Sequence, residues 1–222
     1  MAGPEVALQL QADHATTTAE TKTIGLPDDS VATLAPDSAI AVSYRDEERS
    51  LHLLAGEVYL DVVANVERPF RVLAGDLRVT VLGTGFNVSL SEGGGEVGVA
   101  RGLVRVEYGE SVLPAAQTLQ AGEFLRVTGS GRVERERQPV SQIGAWRQDQ
   151  LIAQDQPFSD VLDRLRRYHA GAIVVIDDSL ADQPVTGVYD LGDPAAALRG
   201  LARSQNAIVR QITPWLLVVS RS

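Results

Sequence analysis

Cysteine is absent from the 222-residue chain, and histidine occurs only three times. Disulfide bonds and thiolate metal sites are therefore excluded. His14, His52 and His169 are scattered, so no pair has the spacing typical of metal ligands. Aromatic residues make up only 5% of the chain, and no apolar run approaches the roughly 20 residues that span a bilayer. We therefore expect no metal and no cofactor, and a core of Val, Leu, Ile and Ala.

The formal net charge is −9, and the excess of acidic residues is unevenly distributed. An acidic surface repels phosphate backbones and anionic headgroups, which argues against binding to nucleic acid or to a membrane surface. Residues 157–222 contain seven acidic residues and seven arginines, so this stretch is neutral and the excess precedes it. The change in charge indicates a boundary near residues 138–156.

Apolar and polar residues alternate through the central part of the chain, as they do in half-buried strands. Leu51 and Leu53 share one strand face, and we expect Val58, Leu60 and Val62 to share another. Glycines separate these short segments, as is typical of turns and bulges. The pattern predicts an antiparallel or solenoid-like all-β body.

The period of the apolar residues changes after residue 150, where helices and strands are expected to alternate. One face of a predicted helix contains Phe158, Val161, Leu162 and Leu165. The apolar run 173–176 predicts a strand covered on both faces. Asp193 followed by Pro194 is a strong helix start, and two further strands end the chain.

Together these patterns predict a mainly β protein with a small α/β module. The predicted parts are a tail or cloning remnant (1–13), an all-β domain (14–138), a linker (139–149) and a module with two β-α-β units (150–222).

The sequence contains no convergent set of catalytic residues, so we do not expect an enzyme. Gly83-Thr84-Gly85 lacks the third glycine and the following helix of a dinucleotide fingerprint. A β-barrel hydrolase would need converging carboxylates or histidines, and a carbohydrate-binding β module would need several exposed aromatics. These two alternatives remain open, although we interpret Trp146 and Trp215 as packing anchors.

A small α/β module leaves sheet edges, and an exposed edge can pair with a strand of a partner protein. Two segments are candidate edges. The predicted partner-binding residues are Val185, Thr186, Gly187, Val188 and Tyr189 in the first segment, and Leu216 and Val218 in the second.

Several motifs in fixed order resemble the FecR-type anti-sigma regulators of Gram-negative cell-surface signalling. The segments are Gly56-Glu57-Val58-Tyr59-Leu60-Asp61-Val62, Arg68-Pro69-Phe70, Val81-Leu82-Gly83-Thr84-Gly85-Phe86-Asn87-Val88 and Leu119-x-Ala121-Gly122-Glu123. Trp146-Arg147 and Leu162-x-x-Leu165-x-Arg167-Tyr168 resemble the family's link into a module like the short domain of secretins and TonB-dependent receptors. The chain departs from the family at Asp29, where the usual Leu-Pro-Asp-Gly-Ser motif has glycine.

The resemblance implies a FecR-type β body followed by a secretin/TonB short-domain-like module. It also implies the periplasmic portion of a single-pass inner-membrane protein, without its cytoplasmic anti-sigma segment and transmembrane helix. The implied partner is the amino-terminal signalling domain of an outer-membrane TonB-dependent siderophore transporter. A sigma factor of the extracytoplasmic type would be reached only through the missing cytoplasmic segment. Iron would be the physiological cue without binding to this chain.

Overall fold

A computed structural model describes residues 11–45, 48–91, 94–109, 116–128 and 131–221. Most of the predicted tail, residues 1–10, lies outside the described residues. The chain divides into two units: one comprises residues 1–17 and 21–144, and the other comprises residues 18–20 and 145–222. We call them the β body and the α/β unit. The segment considered as a linker contains the short 3-10 helices Val140–Gln142 and Ala145–Gln148.

Thirteen strands of the β body form one hydrogen-bonded sheet, which is divided into two halves by the long strand β5. The first half has the order β1-β4-β5-β6-β7-β10-β11. Its strands are β1 (His14–Ala15), β4 (Ala39–Arg45), β5 (Glu48–Asp61), β6 (Phe70–Ala74), β7 (Leu77–Val81), β10 (Leu103–Tyr108) and β11 (Gln117–Gln120). Only the pair β5–β6 is parallel in this half.

The second half has the order β2-β3-β5-β8-β9-β12-β13, and its pairs are antiparallel. In addition to β5, its strands are β2 (Lys22–Gly25), β3 (Val31–Leu34), β8 (Gly85–Ser91), β9 (Gly94–Arg101), β12 (Glu123–Val127) and β13 (Val133–Arg137). One apolar core, mainly of Val and Leu side chains, is shared by both halves.

Gly56 allows β5 to contribute to both halves. Its φ is +80°, and an added Cβ would lie 2.2 Å from Ser38 Oγ and 2.6 Å from the carbonyl oxygen of Asp37. The left-handed residue inverts the alternation of side chains along the strand. Leu51 and Val58 therefore enter the same core, and the expectation that the two segments have different faces is wrong.

The β body contains a buried ion pair between Arg49 and Asp28. Only 2% of the Arg49 side chain and 13% of the Asp28 side chain are exposed, and Nη1 lies 2.6 Å from Oδ2. Arg49 also donates to the carbonyl oxygens of Arg68 (2.8 Å) and Val63 (3.1 Å), and its guanidinium lies over the Phe70 ring. The pair ties the turn before β3 to the centre of the sheet.

Asp28 is surrounded by further donors. Its carboxylate accepts hydrogen bonds from the Ser30 hydroxyl (2.8 Å), the Ser30 amide (3.2 Å) and the Tyr44 hydroxyl (2.8 Å). Burial alone would raise the pKa of Asp28, but the hydrogen bonds from Tyr44, Ser30 and Arg49 outweigh it and lower the pKa below 3.8. The adjacent Asp29 has a φ of +63°, so aspartate occupies the left-handed position where the family has glycine.

Acidic residues of the family motifs are engaged inside the β body. Glu57 is buried and accepts a hydrogen bond from the Asn87 amide at 2.8 Å. Glu123 accepts from the Gln120 amide (2.8 Å) and from Arg135 (2.7 Å). The hydrogen bond from the Gln120 backbone, and to a smaller extent the one from Arg135, lower the pKa of Glu123. Both motif carboxylates therefore have structural roles.

The α/β unit contains five strands in two small sheets and, within residues 145–221, two α-helices. Its strands are β14 (Gln150–Pro157), β15 (Ala172–Val175), β16 (Pro184–Asp190), β17 (Ala207–Thr213) and β18 (Leu216–Arg221). The helices are α1 (Phe158–Arg166) and α2 (Pro194–Ser204), and a 3-10 helix spans Asp178–Leu180. The observed order of strands and helices matches the predicted order, and the predicted fold class is confirmed.

The two α-helices bury the apolar stripes expected from the sequence. Phe158, Val161, Leu162 and Leu165 of α1 are buried. The Asp193 side chain accepts a hydrogen bond from the Ala196 amide at 2.9 Å and caps α2, as predicted. No described helix has the length and apolar character required to cross a membrane.

Candidate partner-binding surfaces

The strand β16 pairs with β14 in a two-stranded antiparallel sheet. No other strand in the described part of the α/β unit pairs with β16, so one backbone edge of this strand is unpaired. We call it the β16 edge. The candidate edge Val185–Tyr189 lies on it. A sheet edge of this kind can accept a strand from another protein.

The side chains of β16 alternate between the core and the outside. Val185 and Tyr189 are buried, whereas Thr186 and Val188 are exposed, with 66% of Val188 accessible. The Thr186 hydroxyl accepts a hydrogen bond from the Asp155 amide at 3.0 Å. Burial raises the pKa of Tyr189, and a hydrogen bond with Ser204 partly opposes that effect. Only the exposed members can contact a partner directly.

Gly187 lies between these exposed positions, and the neighbouring Tyr189 ring leaves little room for a side chain there. A Cβ at this position would lie 3.0 Å from the Tyr189 hydroxyl oxygen. A larger side chain would therefore disturb a buried tyrosine as well as the edge. Val188 is the cleaner position for testing the edge by substitution.

The strand β18 is not an edge, so the prediction of an edge at Leu216 and Val218 is wrong. It is the central strand of a three-stranded sheet with the order β15-β18-β17. Val218 is opposite Val174 in the parallel pair and opposite Arg210 in the antiparallel pair. Its backbone is therefore paired on both sides.

The half-buried side chains of Leu216 and Val218 instead lie on a face of this sheet. Their strand neighbours Leu217 and Val219 are buried, so alternation directs Leu216 and Val218 to the opposite side. The strand register places Ala172, Val174, Ile208 and Arg210 on that side. We call these six residues the outer face. Five of these six residues are apolar, whereas Arg210 and the flanking Thr213 and Ser220 on the same side are polar.

The outer face is accessible because Val174 is exposed and Ile176, directly after β15, has 67% of its surface accessible. The prediction that the run 173–176 is covered on both faces is therefore wrong. Of the two isoleucines in this run, Ile173 is buried and Ile176 is exposed. Sequence analysis missed this surface because an apolar run does not show which of its members face solvent.

The two tryptophans have different environments. Trp146 is 5% exposed, which agrees with a packing role. Trp215, in the turn between β17 and β18, is 68% exposed, so its interpretation as a packing anchor is wrong. An exposed indole near an apolar sheet face is a feature of interaction surfaces.

The described residues contain no group of three or more His, Asp or Glu side chains that could hold a metal ion. The chemistry offered by the two candidate surfaces is thus backbone pairing at the β16 edge and apolar contact on the outer face. Both suit recognition of another protein.

Comparisons with known proteins agree with this architecture. Two crystal structures of a "putative anti-sigma factor" from Parabacteroides distasonis ATCC 8503, at 1.65 and 2.50 Å resolution, superpose with a TM-score of 0.84. Each is 24% identical and covers 94% of this chain and 98% of its own. At this identity the likeness shows the fold. No curated protein matches the sequence.

The family model described as FecR protein matches residues 12–105. This segment runs from the first strands of the β body to β10 and includes three of the quoted motifs. The resemblance inferred from the sequence is confirmed over residues 12–105, which match the FecR domain.

Proposed function

We propose that this chain is the periplasmic signalling region of a FecR-type anti-sigma regulator. The FecR domain over residues 12–105 carries the proposal, and the fold shared with a protein described as a putative anti-sigma factor supports it. The chain works through ordered surfaces, without catalysis. It belongs to a membrane-anchored protein whose cytoplasmic segment binds the sigma factor.

The partner is the amino-terminal signalling domain of an outer-membrane TonB-dependent siderophore transporter, and the α/β unit receives it. The neutral charge of residues 157–222 allows another small domain to approach without long-range repulsion. The β16 edge offers backbone groups and the exposed Val188 side chain. The outer face, with Leu216 and Val218, offers apolar contact area beside the exposed Ile176.

Isothermal titration calorimetry tests this function with the signalling domains of the TonB-dependent transporters encoded in the same genome, each purified separately. We expect one of them to bind. Val188→Asp should weaken that binding by about ten-fold or more if the edge is the contact, because a buried unpaired carboxylate costs at least about 1.4 kcal/mol. Ile176→Asp applies the same test to the outer face.

Val66→Asp is the matched control, since Val66 is an exposed valine of the β body. It should leave the affinity unchanged. Absence of binding by every domain contradicts the proposed partner. Equal weakening by the control and by both test variants would show that the α/β unit is not the docking module.

A further inference from the structure

A polar concavity of about 540 Å³ lies on the β body. It is lined by residues of four neighbouring strands, β5, β6, β7 and β10. Val72, Val79 and Val104, which alternate with lining residues along the strands, are buried in the core. The concavity is therefore on the side of the sheet that faces away from the core. Its volume lies in the range of small-molecule sites.

Three arginines converge in this concavity around Thr80. The strand register places Arg71 and Arg105 on either side of Thr80, one strand away in each direction. Arg78 lies two residues before Thr80 on the same strand face. No two of the arginines are directly opposite each other in the strand register, and Arg78 lies opposite Glu107. With three arginines and two glutamates the lining carries a net charge of +1, in a chain of net charge −9.

The two glutamates in the concavity neutralise this charge only in part. Glu48 accepts a hydrogen bond from Arg71 at 3.1 Å, and Glu107 accepts two from Arg105, at 2.9 and 3.2 Å. Arg78 forms no hydrogen bond or ion pair with another described residue. Each guanidinium has five N–H donors, so most donors of the three arginines are available to a ligand.

We propose that this concavity binds a small ligand with at least two phosphate or carboxylate groups. Guanidinium groups match both anions through paired N–H donors. Arg71 and Arg105 are two strand spacings apart, which is roughly 9.5 Å between their backbones. Each guanidinium can engage one anionic group with a pair of donors, so a ligand with two groups can use both arginines and lie over Arg78 and the Thr80 hydroxyl. The acidic chain disfavours long polyanions such as nucleic acid and favours small ligands.

Calorimetry with the full chain at about 50 mM salt, where screening is weak, tests the site. The probes are pyrophosphate, the tricarboxylate tricarballylate and inorganic phosphate. Pyrophosphate or tricarballylate should bind more tightly than inorganic phosphate. The tighter of the two identifies the anion type that the site prefers. Arg78→Gln should weaken binding by about ten-fold, since it removes charge-assisted hydrogen bonds worth at least about 1.4 kcal/mol.

Arg101→Gln is the control, because it removes the same charge from an exposed arginine that pairs with Asp61 elsewhere on the β body. It should change affinity by less than about two-fold, as expected for a distant surface charge. Circular dichroism should show that both variants fold. Absence of binding by both larger anions, or equal weakening by the control, would overturn the proposal. Inorganic phosphate binding as tightly as the larger anions would refute the requirement for two groups.

Discussion

Replacing Arg49 by methionine removes the cation of the buried ion pair while keeping a side chain of similar length. Asp28 would then remain as a carboxylate with 13% of its side chain exposed and no cation beside it. Breaking a buried pair by removing one partner costs about 3–5 kcal/mol, because the remaining charge is uncompensated. The carbonyl oxygens of Arg68 and Val63 would also lose their donor. The Ser30 and Tyr44 hydrogen bonds to Asp28 remain.

We therefore expect the free energy of unfolding of the β body to fall by about 3–5 kcal/mol. For an m value of about 2 kcal/mol/M, the urea midpoint would decrease by about 2 M. The far-ultraviolet circular dichroism of the strands reports mainly on the β body. Both tryptophans, Trp146 and Trp215, belong to the α/β unit, so their fluorescence reports on that unit separately.

The matched control is Arg101→Met, since Arg101 pairs with Asp61 at an exposed position, where 63% of the arginine side chain is accessible. Such a surface pair contributes less than about 1 kcal/mol. The double variant Arg49→Met, Asp28→Asn should lose less unfolding free energy than the two single variants lose together. The difference should be at least about 1 kcal/mol, because the two side chains interact directly. Additive losses, or equal losses for Arg49→Met and Arg101→Met, would refute the assigned role of the ion pair.

Two further predictions concern the β body. Gly56→Ala should destabilise it by about 3 kcal/mol or more, since φ is +80° and the new Cβ would clash with Ser38 and the Asp37 backbone. Gly25→Ala, whose Cβ would meet nothing within 4 Å, should change the urea midpoint little; a comparable loss would contradict this explanation. The folded state lowers the pKa of Asp28, so its ionisation contributes stability above pH 3.8 that is lost as pH falls through the folded pKa. As pH falls, the free energy of unfolding should therefore decrease less steeply for Asp28→Asn than for the unchanged chain. Identical dependence of this free energy on pH would contradict the lowered pKa.

Much of the local structure was predictable from neighbouring residues. The stripe of α1 and the Asp193 cap of α2 depend on residues within one or two helical turns, and both were predicted correctly. The positive φ of Asp29 also follows from a local turn motif. The FecR resemblance depended on the order of several short motifs, and the family match over residues 12–105 confirms it.

The misassigned features depend on residues far apart in sequence. The edge prediction failed at β18 because one side of this strand pairs in parallel with β15, about 44 residues away, whereas the other side pairs with the adjacent strand β17. Trp215 was expected to pack, but no local pattern shows whether a turn residue is covered. The partner-binding role of the β16 edge and of Leu216 and Val218 stays a prediction.

The positions of strands and helices follow from local patterns, because periodicity, turns and caps act over a few residues. How the faces of the sheets are covered, and which charges meet on them, depends on tertiary packing. Gly56 brings Leu51 and Val58 into one core, although their positions in a regular strand would separate them. Arg71, Arg78 and Arg105 likewise share a concavity only because β6, β7 and β10 are neighbours. The left-handed Gly56 and the pairing of β7 with the distant strand β10 create these contacts, which a regular alternating pattern does not predict.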